Sequence, residues 1–244
     1  MGDPPKDPNQ LLNRKVLYGR RHSRGLRRGQ QDLIGSLLPN IQIKISNGKQ
    51  IGLSNYFGNQ IEKFWLEIGF GGGENLIWQA GTNPKIGVIG CEPYLNGVAK
   101  VLRRVREQEL TNIRLFCEDA RLLIERLPEN SIDKVFILFP DPWPKARHHK
   151  RRIISTGVLN QLARVLEVGA EIRIATDEPG YLEWILWHFN NHCGFSLDVI
   201  RPADCRHNPV DGPPTRYQQK ALAAGRDCIF LSYRLRDRVI FISR

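Results

Sequence analysis

The stretch KFWLEIGFGGG, Lys63 to Gly73, runs from an apolar, aromatic segment through one acid, Glu67, into a loop built almost wholly of glycine. The first half predicts a buried β-strand, and the second a sharp turn in which missing Cβ atoms let a ligand approach the backbone. The spacing narrows the ligand. A dinucleotide fingerprint begun at Gly69 requires glycine at position 74, where Glu74 stands instead. An acid at the start of the following helix competes with pyrophosphate for the free N–H groups and the positive dipole end. The loop therefore suits a nucleoside without phosphates better than a dinucleotide.

Working outward, KIGVIGCE, NIRLFCED, KVFILFPD and AEIRIATD read as further buried strands, each apolar and bounded by polar, glycine or proline residues. Between them Leu95 to Glu109, Ile153 to Leu166 and Tyr181 to Cys193 carry apolar residues at helical spacing, and Cys228 to Leu235 is the expected last strand. Strand and helix in alternation predict a parallel sheet covered on both faces, a doubly wound α/β fold. The strands end in or run into Glu67, Glu92, Asp119, Asp141 and Asp177. Because ligands of such sheets bind outside the carboxyl ends of the strands, these acids converge on one edge. Capping of the next helix explains one or two of them and explains the set poorly.

With 244 residues, 41% of them hydrophobic, the chain suits one sizeable core. We expect a flexible basic arm over residues 1–30, containing YGRRHSRGLRRG, and a single domain over 31–244. The formal net charge of +11 favours a polyanionic partner, nucleic acid before a membrane surface. No apolar run of about 18 residues and no signal-peptide pattern occurs, so a cytoplasmic protein is expected. Cys91, Cys117, Cys193, Cys205 and Cys228 are scattered without Cys-x-x-Cys, which predicts buried reduced thiols and no metal site.

A second stretch carries chemistry: FPDPWPKARHHKRR, Phe139 to Arg152. Pro140 and Pro142 fix their own φ and bias Phe139 and Asp141 away from the helical region, predicting a stiff extended loop that holds Asp141 and Trp143. Trp143 either stacks on a splayed base or packs to hold the loop. Arg147, His148, His149, Lys150, Arg151 and Arg152 read as phosphate contacts that position RNA without reading its sequence.

The acid-x-Gly-x-Gly-x-Gly spacing of Glu67, Gly69, Gly71 and Gly73 resembles the first motif of Rossmann-like, class I methyltransferases that use S-adenosyl-L-methionine. FPDPWPK with its basic run, together with GRRHSRGLRRGQ, LEIGFGGG, IGCEPYLNGV, ATDEPGY and PPTRY, resembles the bacterial tRNA (guanine-N7-)-methyltransferases over most of the chain. That resemblance implies a mostly parallel, seven-stranded sheet with an antiparallel last strand. It also implies methyl transfer from S-adenosyl-L-methionine to N7 of guanine 46 in the variable loop of tRNA. By the same resemblance Glu67, Gly69, Gly71, Gly73, Glu92, Asp119, Ala120 and Asp141 serve the cofactor, with Glu92 on the ribose hydroxyls and Asp119 and Ala120 at the adenine. Lys145, Asp177, Thr215, Arg216, Tyr217 and Gln218 serve the substrate, and Asp141 is the candidate catalytic acid. The family commonly has Glu where this chain has Gln218, an amide that donates as well as accepts.

The chemistry constrains the role of Asp141. Guanine N7 already carries an exposed lone pair, so no general base is required, and a carboxylate beside the ring opposes the positive charge that grows there. Three other readings stand beside this one: a methyltransferase for another RNA site or another acceptor, an RNA-binding protein that keeps S-adenosyl-L-methionine as a structural ligand, and an NAD-linked oxidoreductase. Glu74 and the basic run weigh against the last.

Overall fold

The computed structural model describes residues 25–45, 49–198 and 212–236. Seven strands, β1 (Lys63–Ile68), β2 (Ile86–Cys91), β3 (Ile113–Phe116), β4 (Ile132–Leu138), β5 (Leu166–Thr176), β6 (Phe195–Leu197) and β7 (Ile229–Leu235), form one sheet in the order β3-β2-β1-β4-β5-β7-β6. All neighbours from β3 to β5 are parallel, while β7 runs antiparallel to both β5 and β6. The order reverses between β1 and β4, which start crossovers to opposite sides, so the crevice beyond their carboxyl ends is where such a sheet takes its ligand.

Eight helices cover the sheet: α1 (Arg28–Ser36), α2 (Leu38–Ile41), α3 (Glu74–Thr82), α4 (Leu95–Glu107), α5 (Ala120–Arg126), α6 (Thr156–Val165), α7 (Pro179–Asn190) and α8 (Arg216–Ala223) among the described residues. The periodicity of α4 shows why it folds as it does. Val98, Val101, Leu102 and Val105 are buried on one stripe, Arg103 and Glu107 face solvent, and Arg104 and Arg106 complement the negative end of the helix.

The core forms on both faces. Leu66, Ile89, Val135 and Ile172 pack with the helices of one side, and Val88, Ile113 and Leu115 with α3 and α4 on the other. Val88 and Ile89 are adjacent in sequence yet belong to different clusters because strand side chains alternate. Truncating a fully buried Leu66 to Ala removes roughly 2–5 kcal/mol of stability.

Strand identities agree with the sequence reading, and most boundaries fall close to it. The first three residues of α1 lie inside the stretch read as a basic arm: the helix starts at Arg28 and packs against α4. Residues 1–24 of that arm, and the terminal RVIFISR, lie outside the described residues. β5 begins at Leu166, directly after α6, with Gly169 at φ 85° marking an irregular start. The cysteines divide: Cys91 and Cys228 are buried, Cys117 is half-buried and Cys193 is exposed, all four as free thiols, while Cys205 lies outside the described residues.

Candidate active site

Between β1 and α3 the chain makes its turn through Gly69, Gly71 and Gly73, all at positive φ. Gly73 is the tightest case: at φ 75°, a Cβ there would meet Val101 at 2.1 Å. Substitution would therefore be strained by its backbone and blocked by the core beneath it. The loop is fastened from the next strand. Glu92, just after β2, accepts the Gly71 amide N–H at 2.9 Å with one oxygen and the Tyr94 amide N–H at 2.9 Å with the other. Burial pushes the Glu92 carboxyl up, the two amide bonds oppose that, and the nearby Asp141 charge adds to the rise.

Glu67 sits behind this loop, 3% exposed, where its carboxyl accepts from the Asn75 side chain at 2.9 Å. Burial raises it to about 8, with Asn75 opposing and the Glu74 and Glu92 charges adding. At neutral pH it is a neutral acid bracing the first turn of α3.

Asp119 is the N-cap of α5 and accepts the Arg121 amide at 3.0 Å and the Arg121 guanidinium Nε at 2.9 Å. Helix capping thus accounts for this acid's conformation. It does not account for Asp177, because Glu178 caps α7, leaving Asp177 paired with Arg226 at 2.8 Å.

The loop after β4 departs from the extended form. Phe139 stands at φ 52° and Trp143 at φ 44°, left-handed residues on either side of Pro140-Asp141-Pro142. Each costs on the order of 1–3 kcal/mol, which the surroundings must over-determine. They do so through side-chain packing. Phe139 meets Phe230 edge-on at 6.1 Å, and Trp143 is held by His148 edge-on at 5.7 Å and by the Arg151 guanidinium at 4.8 Å from its ring. The Trp143 ring is engaged with the loop's own neighbours and also lines the cavity, so both roles read from sequence have a surface to act on. Asp141 stands at the mouth of the site, and desolvation by its surroundings pushes its carboxyl up.

The basic run forms a short 3-10 segment, Ala146–Arg151, started by Lys145. Its members part into two groups. Lys145, Arg147 and Lys150 are exposed, whereas His148 and Arg151 hold Trp143 and His149 meets Trp184 at 5.2 Å. Arg152, read from sequence as a phosphate contact, is buried at 5% exposure and turned inward, because its guanidinium finds a carbonyl and two aromatic rings on the protein side.

One cavity of about 820 Å³ joins these parts. Gly69, Gly71, Glu92, Asp119, Ala120, Asp141, Trp143, Arg151, Arg216 and Tyr217 line it, so about half of the residues singled out in the sequence meet there. Glu67, Gly73, Lys145, Asp177, Thr215 and Gln218 are not on its wall, nor are Arg147, His148, His149, Lys150 and Arg152 of the basic run. Thr215 caps α8 by accepting the Gln218 amide at 3.1 Å, and Gln218 is buried. Sequence reasoning missed Tyr94, Gly97, Lys100, Arg121 and Lys220 as wall residues. Of these only Gly97 leaves a signal, a glycine inside a helical pattern, and its reason is close approach: a Cβ would meet the Gly71 carbonyl oxygen at 2.3 Å. Among the described residues no group of three or more His, Cys, Asp or Glu is placed to hold a metal ion, and no helix is long and apolar enough to cross a membrane.

Residues 62–231 match a family model described as "Putative methyltransferase". A tRNA (guanine-N(7)-)-methyltransferase of Paramagnetospirillum magneticum is 43% identical over 240 residues, covering 98% of this chain and 100% of the relative. Its namesake in Agrobacterium fabrum is 42% identical over 219 residues, 90% of this chain and 94% of its own. Among solved structures, an antibiotic-related methyltransferase superposes with a TM-score of 0.53 at 19% identity, covering 80% of this chain and 98% of that one. The 16S rRNA methyltransferase KamB gives 0.53 at 17% identity, over 73% of this chain and 90% of its own. At those identities the structures speak for the class I methyltransferase fold. The strand order, the glycine loop fastened by Glu92, the Pro-flanked Asp141 and the extended similarity agree: the chain belongs to the family of the tRNA (guanine-N(7)-)-methyltransferases.

Proposed function

We propose that the protein transfers a methyl group from S-adenosyl-L-methionine to N7 of guanine 46 in the variable loop of tRNA. The observation that carries this reading is the joint wall of one cavity: the glycine loop and Glu92 on one side, Asp141 and Trp143 on the other. Glu92 fits a ribose, since each of its oxygens has accepted one amide N–H and a carboxylate offers about four acceptor positions in all. Ala120 and Asp119, on the same wall, border the adenine in this reading. S-adenosyl-L-methionine, when bound, supplies an electrophilic methyl on a sulfonium sulfur.

The chain's own residues then orient and stabilise. Asp141, as a carboxylate, accepts hydrogen bonds from guanine N–H groups and offsets the positive charge that develops on the ring. The stiff loop supplies alignment, the larger part of what a reaction without proton removal demands. Lys145, Arg147 and Lys150 lie exposed beside that loop, as contacts to a phosphate backbone require. Asp177, Thr215, Arg216, Tyr217 and Gln218 complete the substrate side in this reading.

Labelled methyl transfer from S-adenosyl-L-methionine tests it, with bulk tRNA and ribosomal RNA as rival acceptors and Asp141→Ala as the control. Label confined to tRNA and absent with D141A supports the proposal. Label on ribosomal RNA alone points to another RNA site, and cofactor binding without any transfer points to a binding protein.

A further inference from the structure

Arg152 ends the basic run, yet the structure gives it surroundings unlike those of its exposed neighbours. It is 5% exposed, its Nε donates to the Pro142 carbonyl at 2.8 Å, and its guanidinium lies 5.0 Å from the Tyr181 ring centroid and 4.7 Å from that of Trp184. Both rings belong to α7 and are themselves tied to the segment after Arg152: the Trp184 indole N–H donates to the Ile154 carbonyl at 2.8 Å, and the Tyr181 hydroxyl accepts the Ile154 amide at 3.5 Å. A planar, always-charged group held by aromatic faces and one carbonyl suits a fixed position. A group in that position is poorly placed to reach a phosphate.

Pro142 follows Asp141 directly, in the segment bounded by the two left-handed residues. Proline has no N–H, so its carbonyl is the one backbone handle it offers, and Arg152 takes it. The chain from α7 through Arg152 to Pro142 thus links a packed helix to the loop that carries Asp141. Resting on the reading of Asp141 given above, we propose that Arg152 is a positioning residue of the methyl transfer, fixing the Pro142 carbonyl and through it the Asp141 loop, and not a contact to tRNA.

The test uses the full chain with Arg152→Met and Arg152→Lys, measuring single-turnover methyl transfer, cofactor binding, and tRNA binding across a salt series. Displacement of a reacting group by about 1 Å costs about 100-fold in rate, so R152M should fall by that order while cofactor affinity and the salt slope of tRNA binding stay those of the wild type. R152K keeps the charge and loses the planar fork, and it should fall with R152M. The loss should fall on the single-turnover rate constant and leave the half-saturating tRNA concentration at the wild-type value. A merely structural role would instead lower the fraction of molecules that bind cofactor. Should R152M fail to fold, Trp184→Leu removes one wall of the cage with the charge intact, and slow transfer at an unchanged salt slope is expected again. A transfer rate within about twofold of the wild type, or a salt slope reduced by about one in R152M, overturns the inference. An active R152M beside an inactive D141A sinks this proposal alone, whereas an active D141A sinks the reading beneath it.

Discussion

The Gly71 amide N–H donates to Glu92 at 2.9 Å, so the acid after β2 holds the turn after β1 as well as facing the cavity. A change at Glu92 should therefore act twice, on the proposed ribose contact and on the loop. Glu92→Gln places an amide donor against either the Gly71 or the Tyr94 N–H, losing a charge-assisted bond of roughly 1.5–3 kcal/mol. Calorimetric titration with S-adenosyl-L-methionine should show affinity lowered by about one to two orders of magnitude. Wild-type affinity in E92Q would remove Glu92 from the cofactor site.

In the proposed mechanism Asp141 acts ionised, and desolvation raises its pKa. Transfer should then fail on acidification while ordinary carboxylates, near pH 4, are still charged. The sign follows from the charged form being the active one: the rate rises as pH rises through the elevated value and levels above it. At saturating cofactor and tRNA the limb of kcat reports this group in the complex, and Asp141→Asn should lower the plateau and erase the limb.

Glu67 gives the opposite dependence, in stability. Its folded value of about 8 lies above the ordinary 4.5, so the folded state holds a proton that the unfolded chain has released across that window. Stability is greatest below the unfolded value and falls as pH rises toward 8, at up to about 1.4 kcal/mol per pH unit. Glu67→Gln keeps an acceptor for Asn75 without the charge. Urea unfolding of E67Q at a series of pH values should show a flatter profile than the wild type, with its advantage largest at the alkaline end.

The exposed cations predict a salt effect. Arg147 and Lys150, both exposed, should each release about one counterion's worth of slope when neutralised. The double substitution R147Q/K150Q should weaken tRNA binding most at low salt and leave the affinity for S-adenosyl-L-methionine unchanged. An unaltered slope would take these residues out of the phosphate contact.

Much of this was legible in the residues because the sheet is buried on both faces: runs such as IGVIGC and KVFILF admit few other structures. The acids at the strand ends were legible for the same reason, since strand polarity alone brings them to one edge. The inward turn of Arg152 was not, because six neighbouring donors look alike until α7 supplies Tyr181 and Trp184 from elsewhere in the chain. Phe139 reads as extended from the proline that follows it, and packing against Phe230 holds it left-handed instead. Helix α1 was hidden by its weak apolar content, with Leu33 its one buried residue. Lys100 and Lys220 reach the cavity through helix orientation, which no local pattern encodes.

The central claim, transfer to N7, is tested most directly by replacing that atom. A tRNA transcript carrying 7-deazaguanine at position 46 of the variable loop is compared with the unmodified transcript in single-turnover methyl transfer and in binding. The account predicts equal binding and no methyl transfer to the deaza transcript, with N7-methylguanosine recovered from the unmodified one. Methyl transfer at the same rate to both would contradict it.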